Sequence, residues 1–292
     1  MEIKIFDVDY GFCALIISDN NHATLLDCGY NERTGFRPTN YIMNSSLFGL
    51  EHLIISHLSD ENLSDLPYLM GEDFQSQFPT KFLIKNPSIN ANNLPEIGIR
   101  NQAKTERINL LSLIADSYRA KIFNHRFDNI SFTFFSNSYP DFLDYDNLSL
   151  VTFIYYFDIG IIFPGNLTWK GWYSLLENSS FREHLKQVNF FVASNHGQKN
   201  GYCPDIFDYF QPELVIISNK FNQPIQPELE SKYMSHAKGL KIFGGNQKLL
   251  TTRDHGTITI SKPPGKQLQI TTSKRILIKD SFQNLNSLSR EL

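Results

Sequence analysis

The chain has 292 residues, 41% of them hydrophobic and 20% charged, enough apolar material to bury a sizeable core as one large or two small domains, which excludes a disordered tail. A formal net charge of −3 supplies no global field that would draw it to nucleic acid or to a membrane surface, although a local patch stays open. Cys13, Cys28 and Cys203 form neither a CxxC pair nor an even framework, so they read as small buried residues in a reducing compartment. No run approaches the roughly 18 apolar residues of a membrane span, and the strand-like opening MEIKIFDV lacks a basic segment followed by an apolar stretch. The expectation is a soluble, cytoplasmic protein without membrane contact.

In chain order, IKIFDVDYGFCALIISD and HATLLDCG are β-branched, apolar runs separated by the turn signal NN, which predicts a hairpin or meander. PTNYIMNSSLFGL has helical spacing, and the short run HLIIS then predicts a strand that delivers His57 at its C-terminal end. DENLSDLPYLM predicts a helix beside that loop, with Pro67 near its first turns. KFLIKN reads as a strand, and AKTERINLLSLIADSYRA as the best amphipathic helix of the chain. SFTFFSNS is a strand, and LSLVTFIYYFDIGIIFPGN a hairpin turned at FDIG. A helix over WYSLLENSSFREHLK, a strand at NFFVASNHG, a helix at PDIFDYF, a strand at ELVIIS and a helix over QPELESKYMSHAKG follow. QKLLTTRDHGTITI reads as a closing hairpin around DHG.

Strands this apolar need both faces covered, so their mixture with helices predicts a layered α/β or α+β protein with two sheets. No internal repeat or linker interrupts residues 1–262, which read as one domain. Residues 263–292, beyond Pro263-Pro264, read as a C-terminal extension: an edge element, a segment docking on a partner, or a solvated tail.

The stretch LIISHLSDENLSDLPYL carries the densest candidate chemistry, because His57, Asp60 and Glu61 lie where a strand ends. DYDN at 144–147 precedes a strand and reads as a turn whose side chains bond backbone groups. Ser56 and Ser59 have no Gly-x-Ser-x-Gly elbow, and FGGNQ lacks the Lys-Ser/Thr of a phosphate loop. Histidines 22, 52, 125, 184, 236 and 255 fall in turns, beside strands or on predicted helices and read as surface or capped-loop residues.

Five segments in order resemble one family, the metallo-β-lactamase-fold domain of the ComEC competence proteins. IFDVDYGFCALI with TLLDCG resembles its LDVGQGDAILI…LIDTG opening, and LIISHLSDENLSDLPYL its SHxDxDHxGG loop. NLSLVTFIYYFDIGIIFPGN resembles the strands leading to its TGD, VNFFVASNHGQKN its HHG segment, and QPELVIIS…LLTTRDHGTITI its ending. The likeness spans residues 3–260 and implies an αββα four-layer sandwich of two mixed β-sheets, with a metal site on loops at one edge.

The implied ligand set is depleted. The first histidine matches His57, but the following positions fall on Ser59, Glu61 and Asn62, and the aspartate of TGD falls on Asn166. HHG has become Asn195-His196-Gly197, and the Asp of the opening motif falls on Phe12, while Asp7 and Asp27 remain. A zinc site needs about three or four N, S or carboxylate donors, and a neutral hydroxyl or amide replaces them poorly. Two zinc ions are not expected.

Three readings follow. The first is a non-catalytic, regulatory or scaffold component that binds a protein partner, for which Trp169, Trp172 and Tyr173 after Asn166 are candidate anchors, packing of their own helix being the alternative. The second is a hydrolase, phosphodiesterase or nuclease, with one divalent ion, zinc or manganese, held by His57, His196 and Asp60 or Glu61, with Asn166 also at the catalytic edge. The third is a nucleic-acid-binding module using Lys262, Lys266, Lys274, Arg275 and Lys279.

Overall fold

The computed structural model describes residues 1–90 and 124–274. The predicted amphipathic helix AKTERINLLSLIADSYRA and the apolar run Ile276 to Ile278 lie outside the described residues.

The first apolar runs break into β1 (Glu2–Ile5), β2 (Ala14–Ile17) and β3 (His22–Leu26), an antiparallel meander in which Ile3 pairs with Ile16 and Ile16 with Thr24. Helix α1 (Pro38–Met43), begun by its Pro38, returns the chain to β4 (Gly49–Ile54), which runs parallel to β3. All six residues of β4 are buried, as a strand covered on both faces requires. Two short helices, α2 (Leu66–Leu69) and α3 (Glu72–Gln77), lead to β5 (Thr80–Ile84), parallel to β4.

The second sheet begins with β6 (Asn124–Phe127), β7 (Ile130–Ser136), β8 (Leu150–Tyr156) and β9 (Ile159–Phe163), all antiparallel neighbours. The single helix expected over WYSLLENSSFREHLK is two, α4 (Trp169–Leu176) and α5 (Ser179–Leu185). The break is chemical: the Asn178 side chain accepts from the backbone N–H groups of Ser180 and Phe181 and starts a new helix there. Strands β10 (Phe190–Val192) and β11 (Leu214–Ile217) add in parallel, separated by 3-10 turns, one of which, Pro204–Asp208, stands where a helix is expected. Helix α6 (Pro227–His236) and the small hairpin β12 (Leu240–Ile242) and β13 (Gly245–Gln247) precede β14 (Leu249–Thr251).

The ending is not the closing hairpin expected around DHG. β14 pairs in parallel with β11 in the second sheet, whereas β15 (Ile258–Ser261) pairs with β1 in the first. Between them Thr251 caps the one-turn helix α7 (Thr252–His255), accepting from Asp254 N, and Gly256, with φ of 71°, ends it, so the chain crosses from sheet to sheet. β16 (Gln269–Thr272) then extends the first sheet beside β15.

The first sheet therefore has the order β16-β15-β1-β2-β3-β4-β5 and the second β14-β11-β10-β9-β8-β7-β6. Ile3, Ile5, Ile16 and Ile54 meet Ile154, Ile161, Phe163 and Ile216 between the sheets. Outside the first sheet Leu15, Leu25 and Leu53 pack with Ile42 and Phe74 of the helices; outside the second, Phe153, Ile162 and Val215 pack with Trp172, Phe181 and Tyr233. Two mixed sheets flanked by helices make the expected αββα, metallo-β-lactamase-like sandwich. Among the described residues, no helix is long and apolar enough to cross a membrane.

Candidate functional site at the sheet edge

β3 and β4 end side by side, and the residues just past them form a buried knot. Asp27 takes a left-handed backbone, φ 55°, and its N–H donates to Ile54 O at 2.8 Å. Its carboxylate, fully buried, accepts from Ser56 N at 2.8 Å, from Ser56 Oγ, from Asn62 Nδ2 at 2.8 Å and from the backbone of His57. Burial pushes the Asp27 carboxyl up to about 7, against the opposing effect of these donors. The loop is also stapled through its backbone, Cys28 N to Asn62 O at 2.8 Å and Asp65 N to Cys28 O at 2.9 Å. Asp65 in turn accepts from Arg37 Nη1 at 2.6 Å and from Thr39 Oγ1 at 2.7 Å. Gly11 lies against this loop so closely that a Cβ there would sit 2.5 Å from the Glu61 carbonyl oxygen.

The His57 side chain meets a different set of residues. Its Nε2 lies 3.5 Å from Asp146 Oδ1 and its Nδ1 3.4 Å from Ser149 Oγ, with the Tyr145 ring 5.1 Å away between centroids. Burial, then the neighbouring Asp144, pushes Asp146 up to about 6, while a hydrogen bond from the Asn166 side chain pulls it down. Asn166 N donates to Ser149 Oγ at 3.0 Å, so His57 and Asn166 share the same two neighbours. The DYDN turn does bond backbone groups as expected: Asp144 accepts from Asn147 N, and Asn147 Oδ1 accepts from Thr168 N and Gly171 N at the start of α4. Asp146 is the neighbour of His57 that reading DYDN only as a turn sets aside; the two carboxylates of DYDN just before β8 were the available signal.

His196 sits in a run of left-handed residues, Asn195, His196 and Gly197, with φ of 48°, 55° and 72°. Its Nδ1 is 3.0 Å from the Ser218 carbonyl, which only accepts, so Nδ1 carries the proton and Nε2 the lone pair. Burial holds its pKa below the ordinary histidine range. His196, Ser56, Asn62 and Asn166 line one cavity of about 20 Å³ together with Phe12 and Ser218. That volume takes roughly one water molecule. The Asn62 Oδ1, buried on this loop, has no hydrogen-bond partner within the described residues.

The two loop carboxylates line another cavity, from which the charge of Glu61 still acts on His196 and pushes its pKa up against burial. Asp60 and Glu61 line a separate cavity of about 220 Å³ with Asp9, Tyr10, Tyr30 and Glu32, and Glu61 bonds the Tyr10 hydroxyl. Among the described residues no group of three His, Cys, Asp or Glu side chains is placed to hold a metal ion. The donors present therefore do not fit a zinc centre of the ordinary kind.

Of the candidate anchors, Trp172 is a core residue: it is fully buried and its Nε1 donates to Gly201 O at 3.2 Å. Trp169 and Tyr173 are exposed, 47% and 42%, with ring centroids 6.1 Å apart. The three do not form one patch.

No family model and no curated protein matches the chain. Among solved structures it is similar to the metallo-beta-lactamase fold protein YhfI from Bacillus subtilis, at 10% identity and a TM-score of 0.49, over 88% of this chain and 99% of that one. It is also similar to Zn(2+)-bound PqqB from Methylobacterium extorquens, at 10% identity and a TM-score of 0.38, over 66% and 72% of the two chains. A diphosphatase of the PhnP family aligns at 9% identity with a TM-score of 0.42, over 74% and 85%. The assignment of the sandwich rests on the strand order and layers of this chain itself.

Proposed function

We propose that this chain is a ComEC-like relative whose metal centre has been exchanged for hydrogen bonds, and that it works as a non-catalytic regulatory or scaffold component binding a protein partner. One observation carries the reading. At the loop position that resembles the family's third histidine, Asn62 donates to Asp27, so a neutral amide, the Ser56 hydroxyl and backbone N–H groups occupy the carboxylate. The amide at that position has no nitrogen lone pair for a cation, and its N–H group ties the loop to the buried Asp27 instead, so the loop is closed without an ion. The exposed Trp169 and Tyr173 supply the partner-facing aromatic surface of this reading.

A second reading is supported by the other side of the edge. His57 and Asp146, 3.5 Å apart, are the nitrogen and carboxylate pair that a one-ion, metal-assisted hydrolase would use, although no third His, Cys, Asp or Glu among the described residues is placed to complete the set. The two readings separate in one experiment: metal content of the purified protein, with thermal-shift titrations of Zn²⁺ and Mn²⁺ on the wild type, His57→Ala and His196→Ala. The scaffold reading expects no stoichiometric ion and no shift that depends on either histidine. A bound ion whose stabilisation both variants lose would replace it with the hydrolase reading.

A further inference from the structure

Between Glu230 and Asp254 the chain carries no acidic residue, and Lys232, Lys238, Lys241 and Lys248 all fall in that interval. The last three sit on or beside the β12–β13 hairpin, which forms a two-stranded sheet of its own. Its turn is Phe243-Gly244, with φ of 52° and 78°, the left-handed pair of a type I′ turn. The Phe243 ring, with Leu240 and Ile242, packs against the core between the sheets and so anchors one face of the ribbon. On the other face Lys241 and Asn246 lie opposite each other and are exposed. Lys238 is exposed before β12, Lys248 is half-buried after β13, and Gly244 and Gly245 leave the tip without side chains.

None of these three lysines makes an ion pair among the described residues, whereas Lys262 is bound to Asp158 and Lys274 to Asp7. Glu213 meets the segment through its backbone, its carbonyl accepting from Gly239 N at 3.0 Å. β14 starts where the hairpin ends and runs parallel to β11, while Ser218 and α7 follow the far ends of those two strands. The hairpin therefore stands at the opposite end of the second sheet from His196, which is held by the Ser218 carbonyl.

Unpaired ammonium groups beside an amide and bare backbone are the donors that contact phosphate oxygens. The same composition disfavours other partners. Protein interfaces are depleted in lysine and enriched in aromatic residues, and single-stranded nucleic acid stacks its bases on exposed rings. The one ring of this hairpin faces the core, as do Leu240 and Ile242, which leaves no apolar side chain to enter a membrane surface. A two-stranded ribbon is also a shape that the major groove of DNA, about 12 Å wide, admits.

We propose that β12–β13 is a basic ribbon that binds duplex DNA by its phosphates, through Lys238, Lys241 and Lys248, with Asn246 and the glycine tip allowing close approach. The inference is independent of the partner-binding reading, since the hairpin shares no residue with the sheet-edge site or with Trp169 and Tyr173.

The test is fluorescence anisotropy of a labelled DNA duplex of about 20 base pairs, titrated with the full chain between about 50 and 200 mM salt. Saturable binding is expected, at a Kd of about 10⁻⁴ to 10⁻⁶ M near physiological salt, with log K falling against log salt at a slope of about −3 for three phosphate contacts. Lys241→Ala should make that slope shallower by about one, and the three alanine substitutions together should weaken binding at least about tenfold at the lowest salt. Lys186→Ala, which removes the lysine paired with Glu183 after α5, should change neither. Should the triple variant fail to fold, as judged by circular dichroism, the slope of Lys241→Ala carries the test. Absence of saturable binding at about 50 mM salt overturns the proposal. So does a folded triple variant that binds like the wild type, which would put the contact elsewhere on the chain. Equal affinity for a single strand of the same length, or hairpin-dependent binding to phosphatidylserine vesicles with none to the duplex, overturns it in favour of that other partner. Loss of partner capture by Trp169→Ala leaves this readout unmoved, so the two proposals fail separately.

Discussion

Asn62 donates its Nδ2–H to the Asp27 carboxylate at 2.8 Å, across a fold in which one residue closes β3 and the other lies on the loop after β4. Neither residue is accessible: Asn62 is 1% exposed and Asp27 not at all. The bond ties the loop to the sheet at the depth where water cannot substitute for it. Asn62→Leu removes a donor to a buried acceptor and should lower unfolding free energy by about 1–3 kcal/mol. Urea unfolding of the two proteins measures this directly, and an unchanged midpoint would show that the knot does not hold the loop.

The same carboxylate should make stability depend on pH. Its folded pKa, about 7, lies above the ordinary aspartate value of 3.8. Between those values the folded state binds more protons than the unfolded state, so stability falls as pH rises from about 4 to 7 and levels off above that. Asp27→Asn removes this titration. The wild type should therefore have its largest advantage over Asp27→Asn near pH 4 to 5 and a smaller one at pH 7.5. A difference that grows with pH would mean that the four donors outweigh burial and hold Asp27 ionised.

Trp172 and Trp169 should part company on substitution. Trp172→Ala empties a fully buried position between α4 and the second sheet and is expected to cost about 3–5 kcal/mol, or to prevent folding. Trp169→Ala, at a site 47% exposed, should stay within about 0.5 kcal/mol of the wild type while weakening capture of a partner. Thermal denaturation read beside a pull-down separates the two effects; strong destabilisation by Trp169→Ala would move it from surface to core.

Much of the sandwich was legible because its strands are short, β-branched and bounded by turn residues, as at HATLLDCG and ELVIIS. Crossings between sheets were not. LLTTRDHGTITI has the pattern of a hairpin, and only the parallel pairing of Leu249–Thr251 with β11 sends its two halves to different sheets. A local pattern carries no information on which distant strand a segment will join. The site shows the same division. Motif order singles out His57 and His196 as candidates, but their neighbours, Asp146 and the Ser218 carbonyl, lie 89 and 22 residues away and are brought in by the topology. Asp60 and Glu61 shared a loop with His57 in sequence, and the turn after it places both in the cavity beside Tyr10, while the carboxylate 3.5 Å from the imidazole is that of Asp146.

If the lost ligands alone explain the missing cluster, restoring them should bring metal binding back. Ser59→His, Asn62→His and Asn166→Asp together place nitrogen and carboxylate donors beside His57 and His196 at the positions that resemble the family's ligands. Asn166 already faces the cavity that holds Asn62 and His196, so its substitution puts a negative charge where a cation would need one. An imidazole at position 62 can still donate from one nitrogen toward Asp27 while the other turns to the ion, an arrangement in which a carboxylate orients a metal-bound histidine. Zinc at about one hundred times its dissociation constant should then stabilise the triple variant by about 2.7 kcal/mol, seen as a rise in melting temperature absent from the wild type. An equal rise in both proteins would instead place the ion on residues that the wild type already has, with His57 and Asp146 the first to substitute. No rise in a folded variant would show that the loop after β4 has changed its path as well as its side chains, and that the exchange of metal for hydrogen bonds extends to the backbone.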